Sequence, residues 1–156
     1  MRLVIGITGS TGVIYGIRML EVLKKLNIET HLIMSEWAEK CISMETDHDV
    51  EYVKSLAVTI SNETNMAASV SSGTYKTDGM IVIPCSMKTL SSIANGYDET
   101  LVARSAGVTL KESRKLILVA RETPLTAINL ENMLKLARLG VIIYHQLQSF
   151  TLILAL

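Results

Sequence analysis

The sequence predicts an α/β chain: a three-layer, doubly wound parallel sheet of the Rossmann-like or flavodoxin-like kind. Three observations lead there. Short β-branched apolar runs alternate with stretches of helical apolar spacing along almost the whole chain. The first run passes through a glycine-punctuated turn directly into a helix. Strand, helix and strand follow within about 35 residues, the length of a right-handed parallel crossover.

Composition agrees. The 156 residues are enough for one domain with a proper core. Apolar residues make up 49% but aromatics only 4%, so aliphatic side chains must build that core. Fifteen basic and fifteen acidic residues balance, which argues against a nucleic-acid partner. Two cysteines, Cys41 and Cys85, make no disulfide framework, and a reducing cytoplasm is expected. The chain begins directly in a strand, so no signal peptide is expected. No apolar run approaches the roughly 18 residues of a membrane span, so no membrane is expected.

The first strand holds Leu3, Val4, Ile5 and Ile7, apolar enough to be covered on both faces. Gly9 and Gly12 let the next turn bend and let a ligand approach the backbone. Thr8, Ser10 and Thr11 set hydroxyls beside the free N–H groups of a helix start, a combination suited to phosphate. The spacing is G-x-x-G, neither a dinucleotide fingerprint nor a P-loop. Helical spacing spans 13–26 through Ile14, Ile17, Leu20 and Leu23, with Lys24 and Lys25 in the last turn and Asn27 as C-cap. Thr30–Met34 is the second strand, and Ser35 opens a helix reaching about Ser43.

Residues 44–75 are less regular. Met44–Asp47 reads as a helix start, Val50–Leu56 is weakly helical, and Thr64–Gly73 is a long, partly ordered loop of the kind that is often functional. Asp78–Pro84 is the third strand, ended by Pro84, and Cys85–Thr89 opens a helix to about Ala94. Glu99–Lys111 is a helix with Leu101, Val102 and Val108 inward. Leu116–Ala120 is the fourth strand, Thr126–Leu139 an amphipathic helix through Ile128, Leu130, Met133, Leu134, Leu136 and Ala137, and Gly140–Ile143 a fifth strand. Thr8–Gly12, Cys85–Thr89 and Arg121–Pro124 are thus polar turns at strand ends. Ligands of open parallel sheets bind at that edge, where strand order reverses. Each turn taken singly has a plainer explanation in packing or capping; their clustering favours an anion-bearing ligand. Cys85 reads as a small buried residue, and His31 as structural.

The stretches Gly6-Ile-Thr-Gly-Ser-Thr-Gly12, Glu45-Thr-Asp47, Ser71-Ser-Gly73, Pro84-Cys-Ser-Met-Lys-Thr89, Leu110-Lys-Glu112 and Arg121-Glu-Thr-Pro-Leu125 resemble the UbiX-type flavin prenyltransferases. The resemblance runs in unbroken order over residues 1–143. It implies a metal-free enzyme that binds reduced FMN and joins to it, at N5 and then C6, the dimethylallyl group of dimethylallyl monophosphate. The product would serve a UbiD-type decarboxylase, and the assembly would be a homododecamer built from trimers. By motif, the FMN contacts would be Gly9, Ser10, Thr11, Ser35, Ser86, Met87, Lys88, Thr89 and Arg121. Glu45, Arg104, Lys111 and Glu122 would lie near the prenyl phosphate. Three cations could stabilise the leaving phosphate, and a carboxylate could place a proton acceptor. Position 11 is more often Ser in that family.

After Ile143 the match stops, so residues 144–156 read as an atypical tail behind an FMN-binding domain of residues 1–143. The family's proline-rich segment and C-terminal helix are replaced by Tyr144–Leu156. A frameshift or truncated gene model is the expectation, with the last sheet face incompletely covered and the uncharged Thr151–Leu156 an aggregation hazard. FMN binding is accordingly expected ahead of prenyl transfer. Two other readings stay open: an FMN-binding aromatic-acid decarboxylase subunit and a non-catalytic FMN carrier. A third, the cysteine decarboxylases, is disfavoured because Pro84-Cys-Ser-Met-Lys-Thr89 stands where that group shows Pro-Ala-Ser-Ala-Asn-Thr.

Overall fold

Strand β1 (Arg2–Ile7) lies inside the sheet, and all of it except Arg2 is buried, as its uninterrupted apolar sequence requires. The computed structural model describes residues 1–145. Around β1 it places α1 (Val13–Lys25), β2 (Glu29–Met34), α2 (Glu36–Glu45), α3 (Val50–Ser55), β3 (Thr59–Asn62), a 3₁₀ turn (Ser69–Ser71), β4 (Gly79–Cys85), α4 (Met87–Ala94), α5 (Leu101–Lys111), β5 (Lys115–Ala120), α6 (Ala127–Arg138) and β6 (Ile142–His145). The six strands pair in parallel in the order β3-β2-β1-β4-β5-β6. The expected α/β doubly wound class is therefore correct. Strand order reverses between β1 and β4, so the turns after these two strands flank the switch point.

Alternate residues feed two cores. Leu3, Ile5, Ile7, Leu32 and Met34 pack with Ile17 and Leu20 of α1 and with Ile42 of α2. Val4, Ile33, Met80 and Val82 pack with Leu101 and Val102 of α5, Leu90 of α4 and Leu136 of α6. α1 lies close to β4: a Cβ on Gly16 would stand 2.5 Å from the Ile83 carbonyl oxygen. Left-handed residues end several helices, among them Asn27 after α1 and Ser113 after α5. The Ile28 amide donates to Leu23 O and the Arg114 amide to Thr109 O, so helix-end carbonyls keep partners.

Several expectations need correction. β3 is absent from the apolar pattern because it is four residues long, on the sheet edge, with only Ser61 buried. Pro84 does not end β4 but lies within it. Asn27 sits one residue past the C-cap, which is Leu26. Glu45 closes α2 rather than opening a helix. The 64–75 segment contains a 3₁₀ turn, held by Arg104 Nε to Ser71 O (3.2 Å) and by Arg114 to Gly73 O and Tyr75 O (2.8 and 2.9 Å). On α6 only Leu136 is buried; Ile128, Leu130 and Leu134 are exposed. The last strand begins at Ile142, after Gly140 turns the chain at φ +83°. The expected aggregation hazard at Thr151–Leu156 lies outside the described residues.

Candidate functional site

All six strands point their carboxyl ends to one edge, so Thr8, Ser35, Glu63, Ser86 and Arg121 arrive there together. A cleft of about 170 Å³ opens at the β1–β4 switch point. It is lined by Thr8, Gly9, Ser35, Trp37, Glu63, Ser86, Lys88, Thr89 and Thr100. Small-molecule sites usually enclose about 300–1,000 Å³. A flavin anchored in the cleft would thus extend beyond it over the open edge.

The β1 turn approaches Trp37 so closely that a Cβ on Gly9 would run into Trp37 Cβ. Ser35 caps α2, accepting from the Ala38 amide at 3.0 Å. Ser86 caps α4, accepting from the Thr89 amide at 3.3 Å, while its hydroxyl donates to Thr89 Oγ1 at 3.0 Å. Lys88, exposed in the first turn of α4, adds a positive charge beside that helix end. The α4 start therefore has the hydroxyls and the cation that a phosphate needs.

The neighbouring helix starts are occupied by carboxylates. Gly12, at φ +100° the N-cap of α1, donates its amide to Glu45 Oε2 at 2.9 Å. The Glu36 amide at the start of α2 donates to Glu63 Oε1 at 3.1 Å. Each carboxylate complements a positive helix end. Glu45 is thereby brought onto the glycine turn.

Five expected FMN contacts line the cleft: Gly9, Ser35, Ser86, Lys88 and Thr89. Ser10 and Thr11 sit on the adjoining turn, where Ser10 Oγ reaches Arg121 O at 3.5 Å and so ties that turn to the end of β5. Met87 packs against the α5-side core. Glu122 follows Arg121, and its carbonyl accepts from His145 Nε2 at 2.6 Å. Arg104 stands on the first turns of α5, its guanidinium on Asp98 at 3.2 Å and on Ser71 O. Lys111 lies elsewhere. α5 runs antiparallel to the strands, and Lys111 stands ten residues, about 15 Å, down from Leu101. It is four residues before Lys115, which begins β5 at the opposite edge.

Trp37, Glu63 and Thr100 were not expected as site residues; Thr8, expected as a hydroxyl suited to phosphate, lines the cleft but donates its hydroxyl to Pro84 O. Thr100 had a legible signal, a hydroxyl directly before the apolar α5 run, and it caps Ala103 N at 3.3 Å. Glu63 had none, because it follows the unrecognised β3. Trp37 is exposed, with Lys40 Nζ 4.4 Å above its ring. Cys85 is fully buried, which pushes its thiol up to about 12, so it is no nucleophile. His31 is buried, its Nε2 2.9 Å from Ser61 Oγ, and burial lowers its pKa, as a structural role requires. Among the described residues no cluster of acidic, His and Cys side chains could hold a metal ion.

The flavoprotein family profile matches residues 1–154. A probable UbiX-like flavin prenyltransferase of Streptomyces sp. (strain D7) is 52% identical over 151 residues, 96% of this chain and 76% of that protein. This chain belongs to the UbiX-like flavin prenyltransferases. The crystal structure of AnUbiX (PadA1) in complex with FMN and dimethylallyl pyrophosphate superposes with a TM-score of 0.90 at 52% identity, covering 92% of this chain and 76% of that one. A dodecameric FMN-dependent UbiX-like decarboxylase from Escherichia coli O157:H7 superposes equally well: TM-score 0.90, 52% identity, 92% of this chain and 79% of that one. The superpositions give these two relatives the same fold as the one described above.

Proposed function

We propose that the chain is a flavin prenyltransferase that holds FMN in the β1–β4 cleft and transfers a dimethylallyl group to it from dimethylallyl monophosphate. The observation that carries this reading is the α4 start: Ser86, Lys88 and Thr89 line a cleft whose opposite wall, Gly9, admits no Cβ. That is a cradle for the FMN phosphate, supported by a family member crystallised with FMN. Reduced FMN would supply the nucleophilic ring atoms. The chain's residues bind and orient. Arg121 and Arg104 would neutralise charge growing on the leaving phosphate as the allylic C–O bond breaks. Glu45 and Glu122 are the carboxylates nearest the β1 and β5 turns and would position a proton acceptor.

Lys111 stands at the opposite sheet edge of its own chain, so it would meet a prenyl phosphate only in a neighbouring copy's cleft. That supports a homo-oligomeric enzyme, and we extend the reading to the trimer-based dodecamer. A UbiD-type decarboxylase would receive the prenylated flavin, in the cytoplasm. The name of the Escherichia coli relative favours one alternative, an FMN-dependent decarboxylase. An anaerobic assay separates the two. The protein is mixed with FMN, dithionite and either dimethylallyl monophosphate or the diphosphate, and the flavin mass is read. A flavin heavier by one dimethylallyl unit supports prenyl transfer. Unmodified flavin, with an aromatic acid losing carbon dioxide in a parallel tube, supports the decarboxylase. Bound flavin with neither reaction supports a carrier.

A further inference from the structure

The two turns that form the cleft are not held together by the sheet at their own level. The β1–β4 ladder ends at the Gly6–Val82 pair, and between Val82 and Cys85 the pairing of β4 with β5 shifts register. Beyond that point the gap is spanned at Thr8, by its side chain and by its amide. Thr8 Oγ1 donates to Pro84 O at 2.9 Å and accepts from the Ser86 amide at 2.8 Å. Its own amide donates to Pro84 O at 3.2 Å, and its carbonyl accepts from Ser10 N at 2.8 Å. Thr8 is 3% exposed although it lines the cleft. Its only hydroxyl proton is committed to Pro84 O, so it cannot donate to a ligand.

From this we infer that Thr8 is a positioning residue: its buried hydroxyl ties the β1 turn to the β4 turn and sets the gap in which the phosphate of FMN is held. The inference rests on the FMN reading above. Gly9 follows Thr8 and the Ser86 amide donates to the Thr8 hydroxyl, so this side chain adds to the main-chain tie a link that reaches the Ser86 wall. A change of a few tenths of an ångström in this bridge moves the α4 N–H groups relative to Gly9. A phosphate gripped from both sides senses that displacement, whereas the two hydrophobic cores do not.

The test uses the full chain with FMN as the probe, and reads the dissociation constant by quenching of flavin fluorescence. Thr8→Val keeps the shape and removes the hydroxyl; Thr8→Ser keeps the hydroxyl and removes the methyl. Thr8→Val should weaken FMN binding about tenfold or more, the scale of one lost buried hydrogen bond and a displaced wall. Thr8→Ser should stay within about twofold of wild type. A folded Thr8→Val protein that binds FMN like wild type overturns the inference, as does a Thr8→Ser protein weakened equally. Amide exchange of Ser86 in the wild-type chain gives a second readout should Thr8→Val not fold. Slow exchange upholds the bridge and exchange at the rate of an open loop overturns it. A wild-type chain that binds no FMN defeats the functional reading, and the bridge is then judged on amide exchange alone.

Discussion

The β1–β4 half and the β5–β6 half of this sheet use similar residues to opposite effect. Around β1 and β4, apolar side chains are sealed by α1 and α5, and a single chain builds a finished cleft edge. Around β6 the same kinds of side chain are open to solvent: Ile142 is 42% exposed, Tyr144 61%, and Leu134 on neighbouring α6 52%. Apolar periodicity locates an amphipathic face; it does not say whether the same chain covers it. The first half closes its own cleft, the proposed cofactor cradle. The second presents a surface that a further copy can bury, in line with the proposed assembly.

This contrast is strongest in stability. Gly16→Ala, whose Cβ would meet the Ile83 carbonyl oxygen at 2.5 Å and Ile7 Cδ1 at 2.9 Å, should cost several kcal/mol and lower the urea midpoint sharply. On α6, Leu136→Ala should cost about 2–5 kcal/mol, because the side chain is fully buried. Leu134→Ala, one turn-face away, should change the stability of an isolated chain by no more than about 0.5 kcal/mol while weakening self-association seen by sedimentation. Equal losses of stability at Leu134 and Leu136 would erase the contrast.

Cofactor binding gives the next effect. Lys88→Ala would remove the proposed charge-assisted contact to the FMN phosphate, about 1.5–3 kcal/mol, so the FMN dissociation constant should rise roughly ten- to a hundredfold in a titration. Lys111→Ala should leave FMN binding unchanged, since the proposal sets Lys111 on the prenyl phosphate in a neighbouring copy and not on FMN.

The smallest effect is acid sensitivity. Burial lowers the pKa of His31 from 6.5. The unfolded chain therefore takes up a proton at a higher pH than the folded one. The stability His31 contributes is fully present above about 6.5 and is lost as the pH falls through the lowered folded value. Urea midpoints of the wild-type chain should drop between pH 7.5 and 5, and His31→Gln should flatten that drop. Parallel curves for the two proteins would assign the acid loss to other groups.

Much of this architecture was legible residue by residue. Ser35 and Ser86 announce two helix starts by standing before apolar runs, and Gly9 and Gly12 mark the first turn. Their meeting at one edge follows from parallel topology alone. What escaped was local structure without apolar contrast. β3 is too short and too exposed to leave a pattern, and Glu63 was lost with it. Thr8 was legible as a hydroxyl, but its commitment to Pro84 and Ser86 depends on the β1–β4 pairing across 76 and 78 residues. Lys111, expected near the prenyl phosphate, is not placed in the cleft of its own chain, because α5 carries it to the other edge. No spacing rule shows the proposed division between copies.

The most direct test of the account mixes two defective copies. Lys88→Glu reverses the charge at the proposed phosphate cradle but leaves Lys111 intact; Lys111→Ala spares that cradle. Each protein alone should fail to make prenylated flavin under anaerobic conditions with reduced FMN and dimethylallyl monophosphate. Co-assembled, they should recover activity that neither has, because a Lys111→Ala copy offers a sound cleft and its Lys88→Glu neighbour offers a sound Lys111. A mixture no more active than the sum of its parts would contradict a site completed by a second copy.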